Sequence, residues 1–499
     1  VNLAENLEKS VFLFPDRPAV CDKDGEITYA GLDERANRVA TALMAMGVRP
    51  GDHVGLCAPN SADWIAFYFG VLKAGAVAVT LSWALSNKEL AYLLSHCRPR
   101  VMFTDAARLS GLQSLRDSAG LEKIICYGGD LDMESLLAAG STTMRSVDRD
   151  RYDTAAILYT GGTTGVPKGV MLTHQGIAFS SWAVAYYERS NQMDRALCFL
   201  PFNHVFGQIH IMNATILAGG CLELLPSFDL DRVLGLMKAG RITKFFAVPT
   251  VYVRLLGEGD LEKRLGNLRY CFSAAASMPM AIVNQWKERT GITIAESLGM
   301  TEAMPLTYNH YHRHRVGSVG QTMHQVEVQI RDFSGNILPD GEKGEICVRG
   351  PNVMKGYLNN PEETASAFWD GGWLRTGDIG LFDNDRYLFI VDRLKDLVIT
   401  GGENVYPREV EEILYTRPEV EECAVIGLPD EKWGERVTAV IKLKAGFSFL
   451  SGEMDSFLKS SLAPFKVPKE YIVVDELPKS ATGKILKREL RKQFPGAAG

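Results

Sequence analysis

A chain of 499 residues that is 46% hydrophobic and 23% charged can bury more than one core, which excludes a disordered or fibrous protein and predicts several domains. Its net charge of −6 comes with dispersed basic residues, which excludes a nucleic-acid surface built on charge. Nine scattered cysteines without a CxxC pair exclude a disulfide frame or zinc ribbon and lead us to expect buried thiols in a reducing cytoplasm.

The first residues, VNLAENLEKSVFLFPDRP, carry acidic side chains early and have no long apolar stretch, so a signal peptide is not expected. Through the first 390 or so positions apolar helical stretches alternate with short strands, as in a helix over Leu32 to Met46 followed by a strand over His53 to Cys57. That alternation predicts mostly parallel sheets covered by helices. From Trp64 to Leu85 the only charged residue is Lys73. Gly70, Gly75 and the alternation at Val77 and Val79 predict a buried helix and a buried strand there rather than a transmembrane segment; peripheral membrane contact stays open.

The segment LYTGGTTGVPKGV, Leu158 to Val170, lies between two strand-like runs, Ala155 to Leu158 and Val170 to Leu172. Gly161, Gly162 and Gly165 permit positive φ and exposed N–H groups, while Thr160, Thr163, Thr164 and Lys168 add donors, the chemistry of a polyphosphate cradle. The spacing is not that of a Walker loop, because Pro167 precedes the lysine and Gly169 follows it. An ordinary Gly-rich hairpin is the alternative. Gly/Asp-rich turns become dense from Asp332 to Asp385 and predict a small β-rich subdomain over about 320–391. A strand over Tyr387 to Val391 precedes a second α/β series.

LYTGGTTGVPKGV resembles the phosphate-binding motif of the adenylate-forming superfamily, the acyl-CoA synthetases, adenylation domains and luciferases, with Gly161 where a serine is commonest. LPFNHVFG from Leu200, SLGMTE from Ser297, WLRTGDIG from Trp373, DRLKDLVITGGENVYPREVE from Asp392 and PKSATGK from Pro478 follow in that family's order. The resemblance spans nearly the whole chain. It implies an α/β fold with a large N-terminal ATP- and acid-binding domain, 1–392, of mostly parallel helix-covered sheets, and a small mobile α/β C-terminal domain, 393–499, hinged at Lys395. The implied chemistry is attack of a carboxylate on the α-phosphate of ATP, then acyl transfer to coenzyme A. Such a reaction needs cations, Mg²⁺ and backbone donors rather than a nucleophilic side chain.

The resemblance also implies roles for residues. Lys484 matches the lysine that bridges carboxylate and α-phosphate, and Lys168 belongs to the phosphate loop with Thr160 to Gly165. Thr301 matches a hydroxyl on the α-phosphate and Glu302 a carboxylate on Mg²⁺; from the residues alone, Thr301 could equally cap a helix with Glu302 in its first turn. Asp378 resembles the carboxylate on the ribose hydroxyls, with Arg393 its partner. Ala275, Ala276, Leu298, Gly299 and Met300 fall where the nucleotide lies. Leu298 replaces a usual aromatic residue, and Ala274 and Ala275 add methyl groups where glycines are usual. His204 matches the gate residue that positions the carboxylate. Gly401, Gly402 and Glu403 match the loop lining the CoA tunnel. Lys487, Arg488, Arg491 and Lys492 read as the solvated face of a terminal helix.

For the acid, Val205 stands where amino-acid-activating relatives carry an aspartate, and Ser297 where malonate-activating relatives carry an arginine. Either charged substrate would lack its partner. With Val248, Ala274, Ala276 and Leu298 also small or apolar, a hydrophobic monocarboxylic acid is expected, and SAAASMP, Ser273 to Pro279, followed by Trp286 resembles fatty-acyl synthetases more than aryl ones. The cluster HYHRHR, His310 to Arg315, is expected to be a connecting loop, not a metal site. An aryl-acid CoA ligase, an adenylating enzyme with a carrier protein or amine as acceptor, and a silent adenylate-binding relative stay open, as does a homodimer. The presence of Lys168, Thr301, Glu302, Asp378, Arg393 and Lys484 weighs against the silent relative.

Overall fold

The computed structural model describes residues 1–127, 131–161, 167–276, 278–480 and 483–494. Gly162, Thr163, Thr164 and Gly165 of the expected phosphate loop therefore lie outside the described residues. Among those described, two seven-stranded sheets form the large N-terminal part. One runs in the order Ile294–Glu296, Tyr270–Ser273, Lys244–Ala247, Arg195–Cys198, Cys221–Leu224, Pro18–Asp22, Gly25–Thr28, parallel except for the last strand. The other joins the parallel strands Val77–Thr80, His53–Cys57, Val101–Thr104 and Lys123–Ile125 to an antiparallel hairpin, Thr154–Gly161 with Pro167–Thr173, and ends in the short antiparallel strand Gly356–Tyr357. The expected strands on either side of the loop are thus present.

Local chemistry sets the helix starts. The helix Tyr29–Ala45 begins before the expected Leu32 because the Thr28 side chain accepts the Gly31 N–H, satisfying a free donor of the first turn. In Ala62–Lys73, capped by Ser61, every residue from Trp64 onward is buried. Its one cation is accommodated because Lys73 Nζ meets Glu8 at 3.0 Å and Asp33 at 2.8 Å. No helix among the described residues is long and apolar enough to cross a membrane.

The β-rich region forms a five-stranded antiparallel sheet of Glu327–Arg331, Gly344–Arg349, Trp373–Phe382, Phe368–Trp369 and Leu388–Arg393. One expected strand shifts: Tyr387 to Val391 becomes Leu388–Arg393. Beyond it the smaller C-terminal domain has a sheet of Glu403–Val405, Val398–Thr400, Gly434–Leu443, Val420–Asp430 and Glu470–Val473. Its hydrophobic clusters start at Val398 and are separate from those of the N-terminal part, as expected of a second domain.

The terminal helix, Lys487–Gln493, corrects one expectation. Lys487 Nζ lies 2.7 Å from Glu411 and Arg491 3.0 Å from Asp396. The helix docks where these two carboxylates wait, so half of its basic residues are structural ion pairs rather than a solvated face. Lys492 pairs only within the helix, with Glu489 at 2.8 Å.

Candidate active site

The site forms at the carboxyl ends of neighbouring parallel strands, where an open α/β sheet presents its loops. Arg195–Cys198 leads to His204 and Val205 at the start of a π-helix, Phe206–Asn213. Tyr270–Ser273 leads to Ala274, Ala275 and Ala276, and Ile294–Glu296 to the segment Ser297–Glu302. The hairpin brings Thr160 opposite Lys168.

Two adjoining cavities result, of about 480 Å³ and 210 Å³. The larger is lined by Thr160, Lys168, His204, Val205, Ala274, Met300, Thr301, Glu302 and Lys395. The smaller is lined by Ala276, Leu298 and Asp378. Ala275, Ser297, Gly299, Arg393 and Lys484 border both. Expected residues that lie more than 300 positions apart in sequence therefore converge.

Thr301 and Glu302 do not start a helix. Met300 and Ala303 exchange both backbone hydrogen bonds, at 2.9 and 3.1 Å, so the two residues are the tip of a tight turn and the capping alternative falls. The Tyr357 hydroxyl donates to Glu302 Oε1 at 2.9 Å; burial and the Glu302 charge hold that phenol well above its usual range, so it remains a donor. Lys168 Nζ is paired with Glu363 and sits 5.1 Å from the centre of the Tyr357 ring. Neither Glu363 nor Tyr357 was foreseen from sequence.

Asp378 and Arg393 are cross-strand partners, with Arg393 Nε 3.1 Å from Asp378 Oδ1. Arg393 is thus placed by the antiparallel ladder itself. His204 Nδ1 accepts the Phe206 N–H at 3.2 Å. Burial, helped by the charge of Lys484, lowers its pKa to about 4. At neutral pH its single proton is then on Nε2.

Lys484 is carried in a turn closed by Gly483 N–H to Ser480 O and Ser480 N–H to Lys484 O, both 2.8 Å. Gly483 has φ +81°, and a Cβ there would come within 3.0 Å of Val248 Cγ2, so only glycine lets the turn pack this closely. Burial, then the nearby charges of Arg393 and Lys395, lower the Lys484 ammonium to about 7 against the opposing pull of Asp378 and Asp396. Burial and Arg393 lower Lys395 as well.

Some expected residues fall elsewhere. Val248 follows the strand Lys244–Ala247 and lines, together with Arg254, a third cleft of about 1010 Å³ rather than either of these two cavities. Ala276 and Leu298, expected on the acid side, border only the smaller cavity. Gly401, Gly402 and Glu403 are exposed on the Val398–Thr400 hairpin and line none of the three cavities. Glu296 was missed: it borders the smaller cavity, fully buried, and burial with the nearby Glu412 raises its pKa to about 8 against the pull of Arg408. Its carboxyl is neutral at pH 7.

The AMP-binding enzyme family profile matches residues 7–358, and that of the AMP-binding enzyme C-terminal domain residues 409–484. The chain is 35% identical to a long-chain-fatty-acid–CoA ligase of Bacillus subtilis (strain 168), covering 98% of this chain and 93% of that one. It is 37% identical to a feruloyl-CoA synthase of an Amycolatopsis species, covering 96% of each. A crystal structure of ATP-bound MatB from Rhodopseudomonas palustris superposes with a TM-score of 0.93 at 36% identity, over 99% of both chains.

Proposed function

The chain belongs to the AMP-binding enzyme family, and from that premise we propose an ATP-dependent, AMP-forming acid–CoA ligase acting on a hydrophobic monocarboxylic acid. The observation that carries this reading is the half-buried Lys484 at the junction of the two cavities, beside His204 on one side and the Asp378–Arg393 pair on the other. A cation there touches both anions of an adenylation, the acid's carboxylate and the α-phosphate.

The acid occupies the larger cavity, with its carboxylate held by His204 Nε2–H and Lys484. ATP spans the junction, with its ribose on Asp378 and its phosphates toward Thr160, Lys168 and Thr301. One carboxylate oxygen forms a bond to the α-phosphorus as the bond to pyrophosphate breaks, and these residues stabilise the spreading charge. Glu302 fits a Mg²⁺ ligand, since Tyr357 occupies only one carboxylate oxygen; a bound Mg²⁺ would supply further neutralising charge. The CoA sulfur then attacks the acyl carbon and AMP leaves. Residues 1–392 and 393–499 move against each other about Lys395 between the two steps, bringing the Gly401–Glu403 loop to the site.

Val205, Phe206 and Phe272 give the acid cavity its apolar walls, which supports a neutral hydrophobic body, as in fatty acids. The test is pyrophosphate release over a panel of acids with and without CoA. Hydrophobic monocarboxylic acids are expected to give a single turnover without CoA and continuous turnover with thioester product when it is added. Continuous turnover with an amine or carrier protein but not CoA would overturn the acceptor, and release confined to dicarboxylic or amino acids would overturn the substrate class.

Ala275 carries a further prediction. Its φ of +70° is left-handed, which costs a non-glycine residue about 1–2 kcal/mol, partly offset by the roughly 0.5–1 kcal/mol that glycine loses on ordering. Ala275→Gly is expected to leave stability unchanged or raised by up to about 1 kcal/mol and to lower KM for ATP, because a methyl group leaves both cavities. Thermal unfolding and ATP titration check this; a clear loss of stability, or a higher KM, contradicts it.

A further inference from the structure

The larger cavity is not wholly apolar. His210 lines it from the π-helix, six residues beyond His204 and so within about 9 Å of it along the helix. Three phenyl rings surround the imidazole, with centroids at 4.2 Å for Phe272, 5.2 Å for Phe206 and 5.6 Å for Phe246. His210 Nε2 donates to Glu188 Oε1 at 2.7 Å. The same buried carboxylate accepts the Tyr308 hydroxyl at 2.6 Å and Lys244 Nζ at 2.9 Å. Lys244 Nζ also lies 3.8 Å from Asp194, which is paired with Arg269 at 2.6 Å.

Lys244 and Arg269 each pair with one of the two carboxylates. The bond from Nε2–H to Glu188 selects the tautomer whose Nδ1 is an acceptor, and no donor from the described residues is bonded to Nδ1. A phenyl ring at this position would complete the aromatic cluster and leave Glu188 its bonds from Tyr308 and Lys244, and buried ion networks are weak sources of stability. The network's value therefore lies in fixing an acceptor on an otherwise apolar wall.

We propose that His210, oriented by Glu188, determines specificity by accepting a hydrogen bond from a hydroxyl on the substrate acid, placed at the end of its hydrophobic body remote from the carboxylate. This rests on the larger cavity being the acid site. A second carboxylate would meet a lone pair rather than a donor, so a dicarboxylic acid is disfavoured. A ring with a short spacer, or a chain of similar length, reaches from His204 to His210.

The test compares kcat/KM for matched acids: cinnamate with para-hydroxycinnamate, benzoate with para-hydroxybenzoate, and medium-chain fatty acids with and without a terminal hydroxyl. The wild-type protein is expected to favour the hydroxylated member of at least one pair by about tenfold, the scale of one hydrogen bond. His210→Phe is expected to abolish that preference, read as the ratio of kcat/KM for the hydroxylated acid to that for the plain acid within each pair. His210→Gln, which keeps an acceptor, should restore part of it. Absence of any hydroxyl preference in the wild-type protein, the same preference in His210→Phe, or a preference for dicarboxylic acids would overturn the proposal. Pyrophosphate release with no acid of any kind would instead overturn the ligase reading, and this inference with it.

Discussion

Lys484→Ala lowers acyl-adenylate formation by at least about 10²-fold, equivalent to roughly 2.7 kcal/mol of barrier, while thioester formation from supplied acyl-adenylate falls much less. A charge-assisted hydrogen bond contributes about 1.5–3 kcal/mol, and Lys484 is placed to make such contacts to two anions at once. The pH profile should carry the same signature. Burial and the charges of Arg393 and Lys395 bring Lys484 down to about 7, so in the free protein the cationic form is complete well below that pH and is lost above it. Adenylation kcat/KM is therefore expected to fall as pH rises through about 7, the opposite of a reaction waiting for a general base to deprotonate. His204, lowered to about 4, stays neutral across that range and contributes no step. Single-turnover rates from pH 6 to 9 read this directly; a rate that rises through neutrality, or equal loss in both half-reactions of Lys484→Ala, contradicts the role given to the lysine.

Lys395→Pro should separate the two half-reactions. Lys395 lies in the short turn Leu394–Asp396, between the last strand of the β-rich sheet and the first strand of the C-terminal domain. Asp392 braces its entry by accepting the Arg393 and Arg408 N–H groups at 2.7 and 2.8 Å. Proline fixes φ near −65° and restricts the residue before it, here Leu394, while a first-turn position tolerates the missing N–H. The arrangement with Lys484 at the cavities is thereby retained and rotation away from it hindered. Because the lysine side chain also lines the larger cavity, Lys395→Ala is the proper reference. Against it, Lys395→Pro is expected to form acyl-adenylate at a similar rate in one turnover and to transfer it to CoA at least about tenfold more slowly, roughly 1.4 kcal/mol. Transfer at the rate of Lys395→Ala, in a folded variant, places the pivot elsewhere or removes domain rotation from the cycle.

Much of this was legible because the informative segments are strand ends and tight turns, whose geometry is set locally. The hairpin around the phosphate loop and the buried Trp64–Lys73 run follow from short-range pattern, whereas Asp378 was marked by the resemblance of its motif. What escaped depends on partners far away in sequence. Glu363 reaches Lys168 across 195 positions and Glu188 meets Tyr308 across 120, and nothing near either lysine or tyrosine announces the carboxylate. The cleft that Val248 lines was not legible for a different reason: the residue after a parallel strand can turn to either side of the sheet, and its neighbour Gly483 lies more than 200 positions away. Lys487 and Arg491 sit on a helix basic enough to read as solvated, and only the docking onto Glu411 and Asp396 makes them structural.

The most direct test of adenylation at this site is exchange of labelled pyrophosphate into ATP, with Mg²⁺ and a hydrophobic monocarboxylic acid and without CoA. The account predicts exchange that requires the acid, needs no CoA, and is lost in Lys484→Ala while the variant remains folded. Exchange independent of the acid, exchange that appears only when CoA is added, or exchange undiminished in Lys484→Ala would contradict it.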